Sequence, residues 1–253
     1  MTAYYNENEP FAAAWLRELI KENLIAPGEV DERSIEEVKP EDLRGFTQCH
    51  FFAGGGGWSL ALRLARVSDA HAVWTASCPC QPWSIANVWQ GGGKGHEDQR
   101  DLWPCFFRIF AERRPSTLFG EQVPGAVLWG WLDRAFDDLE EEGYACGAKI
   151  MRACAFGADH ERKRVFFVAD AGRARWQGSI SDGGVSRRAR APFSLNDDSF
   201  VRARRALEGD YSDLLPCDGL SVQLERNALK VYGNAIVPQV AQAFIESYLD
   251  IIK

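Results

Sequence analysis

The chain has 253 residues, 46% of them hydrophobic, with 29 Lys or Arg against 36 Asp or Glu and a formal charge of −7. That is apolar material for one α/β domain with a sizeable core plus a small insert. Seven cysteines in no disulfide-like framework point to a reducing cytoplasm, and the absence of a leader or long apolar span argues against secretion and membrane insertion.

In chain order, residues 2–6 read as a short strand. Phe11 to Asn23 reads as an amphipathic helix with Ala12, Trp15, Leu16, Leu19 and Ile20 on one face. Pro27-Gly28 closes that unit, and Ile35 to Leu43 makes the crossing to an apolar strand, Thr47 to Phe52. A glycine run, Gly54 to Gly57, follows, and Leu60, Leu62, Leu64 and Ala65 then repeat at helical spacing. Strand, glycine turn and helix together let backbone approach a nucleotide-like ligand and aim a helix N-terminus at its anionic group. Taken alone, four glycines also suit a flexible turn.

The apolar run Ala72 to Ala76 leads into Pro79-Cys80-Gln81-Pro82-Trp83-Ser84. A cysteine held in a stiff loop after a strand is placed to attack an electron-poor carbon once its pKa is lowered. The hexapeptide by itself is equally compatible with a buried, inert thiol. Gly91 to Gly95 reads as a mobile loop. Beyond it the expected elements are a helix from Leu102 to Arg113, a strand from Thr117 to Gly120 and a helix from Trp129 to Gly143. Strands from Gly147 to Ala153 and Val165 to Ala169 follow, then a closing helix from Val237 to Ile252. Residues 170–226, rich in Gly, Ser, Arg and Asp, read as a small insert, with 1–169 and 227–253 forming the main domain. Cys78 and Cys80 lack the CxxC or His spacing of a metal site, so no metal is expected.

Several of these residues carry a resemblance to the DNA cytosine methyltransferases that act at carbon 5. Phe52, Gly54, Gly56 and Gly57, with Trp58 beside them, resemble the FxGxGG cofactor motif, and Pro79-Cys80-Gln81 the PCQ nucleophile motif. Gln99 to Leu102 resembles the short Arg-x-Leu motif bordering the cofactor pocket. Glu121-Gln122-Val123 stands where the family has Glu-Asn-Val, and Arg162 and Arg164 match its paired arginines. Tyr232 to Pro238 resembles the last motif, whose asparagine, Asn234, with Ala235, begins a helix beside the cofactor. Gln122 and His160 depart from the family's Asn and Gln. The longer arm of Gln122 shifts whatever loop it braces, and His160 suits a turn as well as a DNA contact.

The order of the motifs also departs. Between its glycine turn and its cysteine the family carries two further strand-helix units, which hold the cofactor ribose and adenine, and here the interval from Trp58 to Cys78 has room for one helix and one strand. The missing units are expected at the N-terminus. Asn6-Glu7-Asn8-Glu9-Pro10-Phe11-Ala12 resembles the family's Asn-Glu-x-Asp-x-x-Ala segment, and Val30 to Ile35, with Asp31, its Gly-Asp-Ile segment. If so, Glu7 faces the mouth of the Gly54 to Gly57 turn.

The resemblance implies a Rossmann-like α/β fold with a mostly parallel sheet, helices on both faces and a rearranged strand order. It also implies S-adenosylmethionine as cofactor and double-stranded DNA as partner, in the setting of restriction-modification. The chemistry implied is addition of the Cys80 thiolate to carbon 6 of a flipped-out cytosine, which makes carbon 5 nucleophilic toward the methyl group. Glu121 would protonate ring nitrogen 3, and Arg164 and Arg162 would hold the base carbonyl and orient the carboxyl. Pro79, Gln81, Ser84, Gln122 and Val123 would line the substrate side; Leu102 would join the cofactor set. Residues 161–205 carry eleven Lys or Arg against five Asp or Glu, while residues 1–44 carry eleven acids against five bases. The basic excess thus falls where the family inserts its target-recognition region, ready to neutralise phosphates. A monomer is expected. A non-catalytic DNA-binding relative, or the same chemistry on RNA, free nucleotide or a modified donor, are the alternatives left open.

Overall fold

A computed structural model describes residues 2–79, 101–128, 130–158, 161–172 and 236–252. Seven strands form one sheet: β1 Thr2–Asn6, β2 Gly28–Asp31, β3 Phe46–Phe51, β4 Val73–Ala76, β5 Thr117–Gln122, β6 Ala145–Arg152 and β7 Lys163–Asp170. Their spatial order is β2-β1-β3-β4-β5-β7-β6. The first five are mutually parallel and β7 runs antiparallel between β5 and β6.

This order makes the rearrangement visible. In a doubly wound sheet the strand before the glycine turn is flanked on one side by the second and then the third strand of the motif, and on the other by the fourth. Here β3 precedes the glycines, β1 and β2 occupy the second and third places, and β4 lies on the far side. The first 31 residues therefore fill spatial positions that usually come later in a chain. Parallel strands require only that each be brought to its neighbour by a crossover, so the segment can precede β3 without altering the sheet.

Helices cover both faces. Alternation along β1 sends Ala3 and Tyr5 toward α1, Pro10–Lys21, and Tyr4 to the opposite face, with Cys49 and Phe51 of β3. Helix α1 starts on a capped turn: the Glu9 side chain accepts from the Ala12 N–H at 2.8 Å, with Pro10 at the first position. It buries Ala12, Ala13 and Leu16, whereas Trp15 is 36% exposed, so the apolar stripe is narrower than the sequence spacing indicates. Helix α2, Gly57–Leu64, and the last helix, α6, Pro238–Ile252, pack on one face around Phe119, Phe166 and Val168. On the other face α3, Trp103–Arg113, α4, Pro124–Leu128, and α5, Trp131–Glu141, enclose Trp103, Phe106, Phe110 and Trp131.

Several elements differ from the sequence reading, among them β2, not named there as a strand, and β6, which begins at Ala145 rather than Gly147. The crossing expected from Ile35 to Leu43 is present and contains a 3-10 turn, Pro40–Leu43. The helix expected from Trp129 to Gly143 is α5 alone, which starts after Gly130, with its φ of +75°, and the short α4 that precedes it was not expected. Strand β7 begins at Lys163 rather than Val165, which brings Arg164 into the sheet. The insert assigned to 170–226 and the loop at Gly91 to Gly95 lie almost wholly outside the described residues.

Candidate active site

The site lies where the parallel strands end. Carboxyl ends of parallel strands leave backbone groups and loops converging on one edge of the sheet, the usual place for a ligand in open α/β folds. Asn6, Asp31, Phe51, Ala76 and Gln122 end β1, β2, β3, β4 and β5 there, and antiparallel β7 brings its beginning to the same edge, with Val165 opposite Gln122.

The glycine turn is built from three strand ends. Phe52 leaves β3 with φ +53°, a costly conformation for a bulky residue, and Gly54 and Gly56 follow at +53° and +78°. The Ala53 N–H donates to the Asn6 carbonyl at 3.0 Å, and the Gly54 N–H donates to Glu7 Oε2 at 2.7 Å. Glu7 Oε1 accepts from the Glu9 N–H at 2.9 Å, and the Glu7 N–H donates to the Asp31 carbonyl at 3.0 Å. A carboxylate from residue 7 is thereby fixed against a turn 47 positions away in sequence. Gly56 caps α2, and a methyl group on Gly57 would lie 2.7 Å from Ile236 Cγ1, so this glycine permits α2 to meet the start of α6. Among the described residues, its chain neighbours aside, nothing stands within 4 Å of where a Gly54 side chain would begin. A glycine turn, a helix N-terminus and a fixed carboxylate suit a nucleotide-like ligand whose ribose offers hydroxyl donors.

Asp31 is engaged by the protein itself. Tyr4 Oη donates to its Oδ2 at 2.8 Å, and Arg33 approaches both oxygens, with Nη2 2.6 Å from Oδ2. Burial opposes its charge, yet the bonds from Arg33 and Tyr4 prevail and hold its pKa below the ordinary range. Leu102 caps α3 and packs partly buried on the core beside Phe107. The indole of Trp58 is 3% exposed and points into the core, which leaves only its backbone for a ligand at the turn.

On β5, Gly120 and Glu121 are buried, and Glu121 lies opposite Phe166 of β7. Arg164 Nε comes to 2.7 Å of Glu121 Oε1, an ion pair whose N–H is not aimed at that oxygen. Desolvation lifts the Glu121 carboxyl from 4.5 to about 7 against the pull of Arg164 and Arg162. Arg162, with φ +23°, leads into the strand and, with Arg164, Phe166, Val237 and Val240, lines a narrow gap at the start of α6. Gln122 turns to the other face: its Nε2 donates to the Cys78 carbonyl at 3.3 Å and its Oε1 accepts from the Val123 N–H at 2.9 Å. The longer arm thus bridges β5 to the segment running into Pro79.

Cys80, Gln81, Ser84, His160, Asn234 and Ala235 lie outside the described residues. Their described chain neighbours are placed: Pro79 stands past β4, next to β5, and Ile236 touches Gly57. Sequence reasoning assigned no role to Ser77, which accepts a hydrogen bond from Trp58; only the fold brings the two together. Among the described residues no cluster of His, Cys, Asp or Glu could hold a metal ion, and no helix is long and apolar enough to cross a membrane.

Residues 62–181 match the family described as C-5 cytosine-specific DNA methylase. The type II methyltransferase M.HgiBI of Herpetosiphon aurantiacus is 33% identical over 103 residues, covering 39% of this chain and 23% of that protein. The type II methyltransferase M.HhaI of Haemophilus parahaemolyticus is 25% identical over 173 residues, covering 52% of this chain and 51% of that protein. The chain thus spans about half or less of the length of these relatives. Among solved structures, the Entamoeba histolytica methyltransferase EhMeth aligns over 100% of this chain and 99% of its own, with a TM-score of 0.58 at 12% identity. The S. pombe Dnmt2 methyltransferase aligns over the whole of both chains with a TM-score of 0.54 at 13% identity. At those identities the two structures speak for the fold alone, a Rossmann-like methyltransferase sheet.

Proposed function

We propose that this chain, whose residues 62–181 match the C-5 cytosine-specific DNA methylase family, methylates carbon 5 of cytosine in double-stranded DNA through a covalent adduct of Cys80. The observation that carries the reading is the buried Glu121 carboxyl paired with Arg164 on the strand beside the one that leads to Cys80. A carboxyl with a pKa near 7 is substantially protonated at neutral pH, so it can donate to a ring nitrogen that an ordinary carboxylate could only accept from.

Glu7, the Gly54 to Gly57 turn and the backbone at Trp58 would hold S-adenosylmethionine, with Leu102, Asp31, Asn234 and Ala235 completing its surroundings. The cofactor supplies an electrophilic methyl group. The chain's own residues do the remainder. Cys80 adds as thiolate to carbon 6 while Glu121 gives its proton to nitrogen 3, which leaves carbon 5 electron-rich. Arg164 and Arg162 hold the carbonyl oxygen and keep Glu121 in register. After methylation the carbon 5 proton passes to water, the cysteine is eliminated as thiolate and the nitrogen 3 proton returns to Glu121, restoring the ring. Pro79, Gln81, Ser84, Gln122 and Val123 shape the pocket around an extruded base, because the reacting face is hidden within the duplex. The arginines among residues 161–205 suit phosphate contact, and the insert at 170–226 suits target recognition.

The test is transfer of labelled methyl from S-adenosylmethionine to duplex DNA by the wild type and by Cys80→Ser, with the modified positions sequenced. Label on cytosine carbon 5 that vanishes in Cys80→Ser supports the reading. No transfer to any duplex despite cofactor binding would overturn it in favour of a DNA-binding relative, and equal transfer to RNA or free nucleotide would remove DNA from the account.

A further inference from the structure

Ser77, the first residue beyond β4, is held from three sides. Its N–H donates to the Phe51 carbonyl of β3 at 3.3 Å, its neighbour Cys78 accepts from Gln122 of β5 at 3.3 Å, and its Oγ accepts from Trp58 Nε1 of α2 at 3.0 Å. Two of these bonds come from within the sheet. The third crosses from the helix that begins at the glycine turn. A buried indole needs a partner for its N–H, and Ser77 is the partner recorded for it.

The same ring also lies under the acid. Trp58 stacks on Phe119 with centroids 6.1 Å apart and meets the edge of Phe166 at 5.9 Å. Phe119 stands two residues before Glu121 on the same face of β5, and Phe166 is the residue paired with Glu121 across the strands. One side chain on the helix of the cofactor turn therefore touches both the segment running into Pro79 and the apolar residues next to Glu121. A phenylalanine would supply the ring and the floor, but no donor.

We propose that Trp58 is a positioning residue, fixing the strand end that leads to Cys80 against the helix of the glycine turn through its hydrogen bond to Ser77. This rests on the functional reading above and adds to it a coupling between the cofactor half of the site and the nucleophile half. Without the bond the ring still packs, and Ser77 keeps only its in-plane restraints, so the strand end running into Pro79 loses its tie to the helix of the glycine turn.

The experiment compares wild type, Trp58→Phe, Ser77→Ala, the double variant and Ser77→Thr, which keeps the hydroxyl. Cys80 alkylation by iodoacetamide is followed by peptide mass spectrometry with neither DNA nor cofactor, alongside single-turnover methyl transfer to duplex DNA at saturating S-adenosylmethionine and thermal melting. Removing one hydrogen bond should change both rates about five-fold, the rate equivalent of roughly 1 kcal/mol. The double variant should match either single one, because a single bond is broken in all three, and Ser77→Thr should behave as wild type. Melting temperatures of Trp58→Phe, the double variant and Ser77→Thr should stay close to wild type, which separates positioning from general loosening, whereas Ser77→Ala, which orphans the buried indole N–H, should melt lower. Rates in Trp58→Phe within about 1.5-fold of wild type, or single effects that multiply in the double variant, would overturn the proposal. Should the wild type transfer no methyl at all, the functional reading fails and the alkylation series still decides whether Trp58 positions Cys80.

Discussion

Replacing Glu121 with Gln should stabilise the protein at alkaline pH and leave it nearly unchanged at acid pH. The reasoning is linkage. Burial holds the folded-state pKa at about 7 against 4.5 for an exposed carboxyl, so between these values the folded chain keeps a proton that the unfolded chain has released. The stability this supplies is complete below 4.5 and is lost as pH rises through 7. Two and a half pKa units correspond to about 3 kcal/mol at full ionisation, an upper figure because the surroundings relax around the new charge. A glutamine of the same shape carries no such penalty. The stability of Glu121→Gln minus that of wild type should therefore grow by about 2 kcal/mol between roughly pH 5.5 and pH 8.5. Urea unfolding across that range, followed by tryptophan fluorescence, measures it directly. A difference that is flat with pH, or that falls as pH rises, would show that Glu121 is ionised at neutral pH and would remove it as a proton donor. The same variant should lose methyl transfer at every pH, since an amide cannot deliver the proton to ring nitrogen 3.

Glu7→Gln should weaken S-adenosylmethionine binding about ten-fold by equilibrium dialysis, because a charge-assisted acceptor becomes a neutral one; unchanged affinity would detach Glu7 from the ribose. Gly57→Ala should lower stability by about 1–3 kcal/mol, since its methyl would meet Ile236 at 2.7 Å and α6 would have to retreat; a neutral melting temperature would mean that the helices are loosely docked. His50, buried between Thr75 and Gln48 and stacked on Tyr5, has its pKa pressed down to about 3 by burial. An unfolded histidine binds a proton below about 6.5, so this site costs stability as pH falls from there toward 3. The acid arm of the stability profile should flatten in His50→Gln, and an unaltered slope in acid unfolding would contradict a buried neutral imidazole.

Much of this protein is local and was legible as such. Periodicity located the strands at Thr2–Asn6, Phe46–Phe51 and Thr117–Gln122, each within one or two residues of the expected bounds or with the expected strand lying inside it. Glycine at residues 54–57 marks a turn in any fold, and Glu121 and Arg164 declare their chemistry by type. The N-terminal segment was expected beside the glycine turn because too few residues separate Trp58 from Cys78 to hold the units a doubly wound sheet requires, and β1 does pair with β3. What periodicity could not reach was the direction of a side chain at an element's edge. Trp15 has the spacing of a core residue and faces outward, while Trp58 has the place of a ligand-binding residue and faces inward.

The sequence by itself determined which residues carry charge, thiol or conformational freedom, and where backbone must turn, since these are properties of single residues and their near neighbours. Only the tertiary structure decided that Glu7 meets Gly54, that Arg164 meets Glu121 and that Trp58 meets Ser77. Each of those meetings depends on which strands lie side by side and in what register, and that is fixed by burying both faces of the whole sheet at once. A shift of one residue in β7 would turn Arg164 to the far face and leave the Glu121 carboxyl alone in the core.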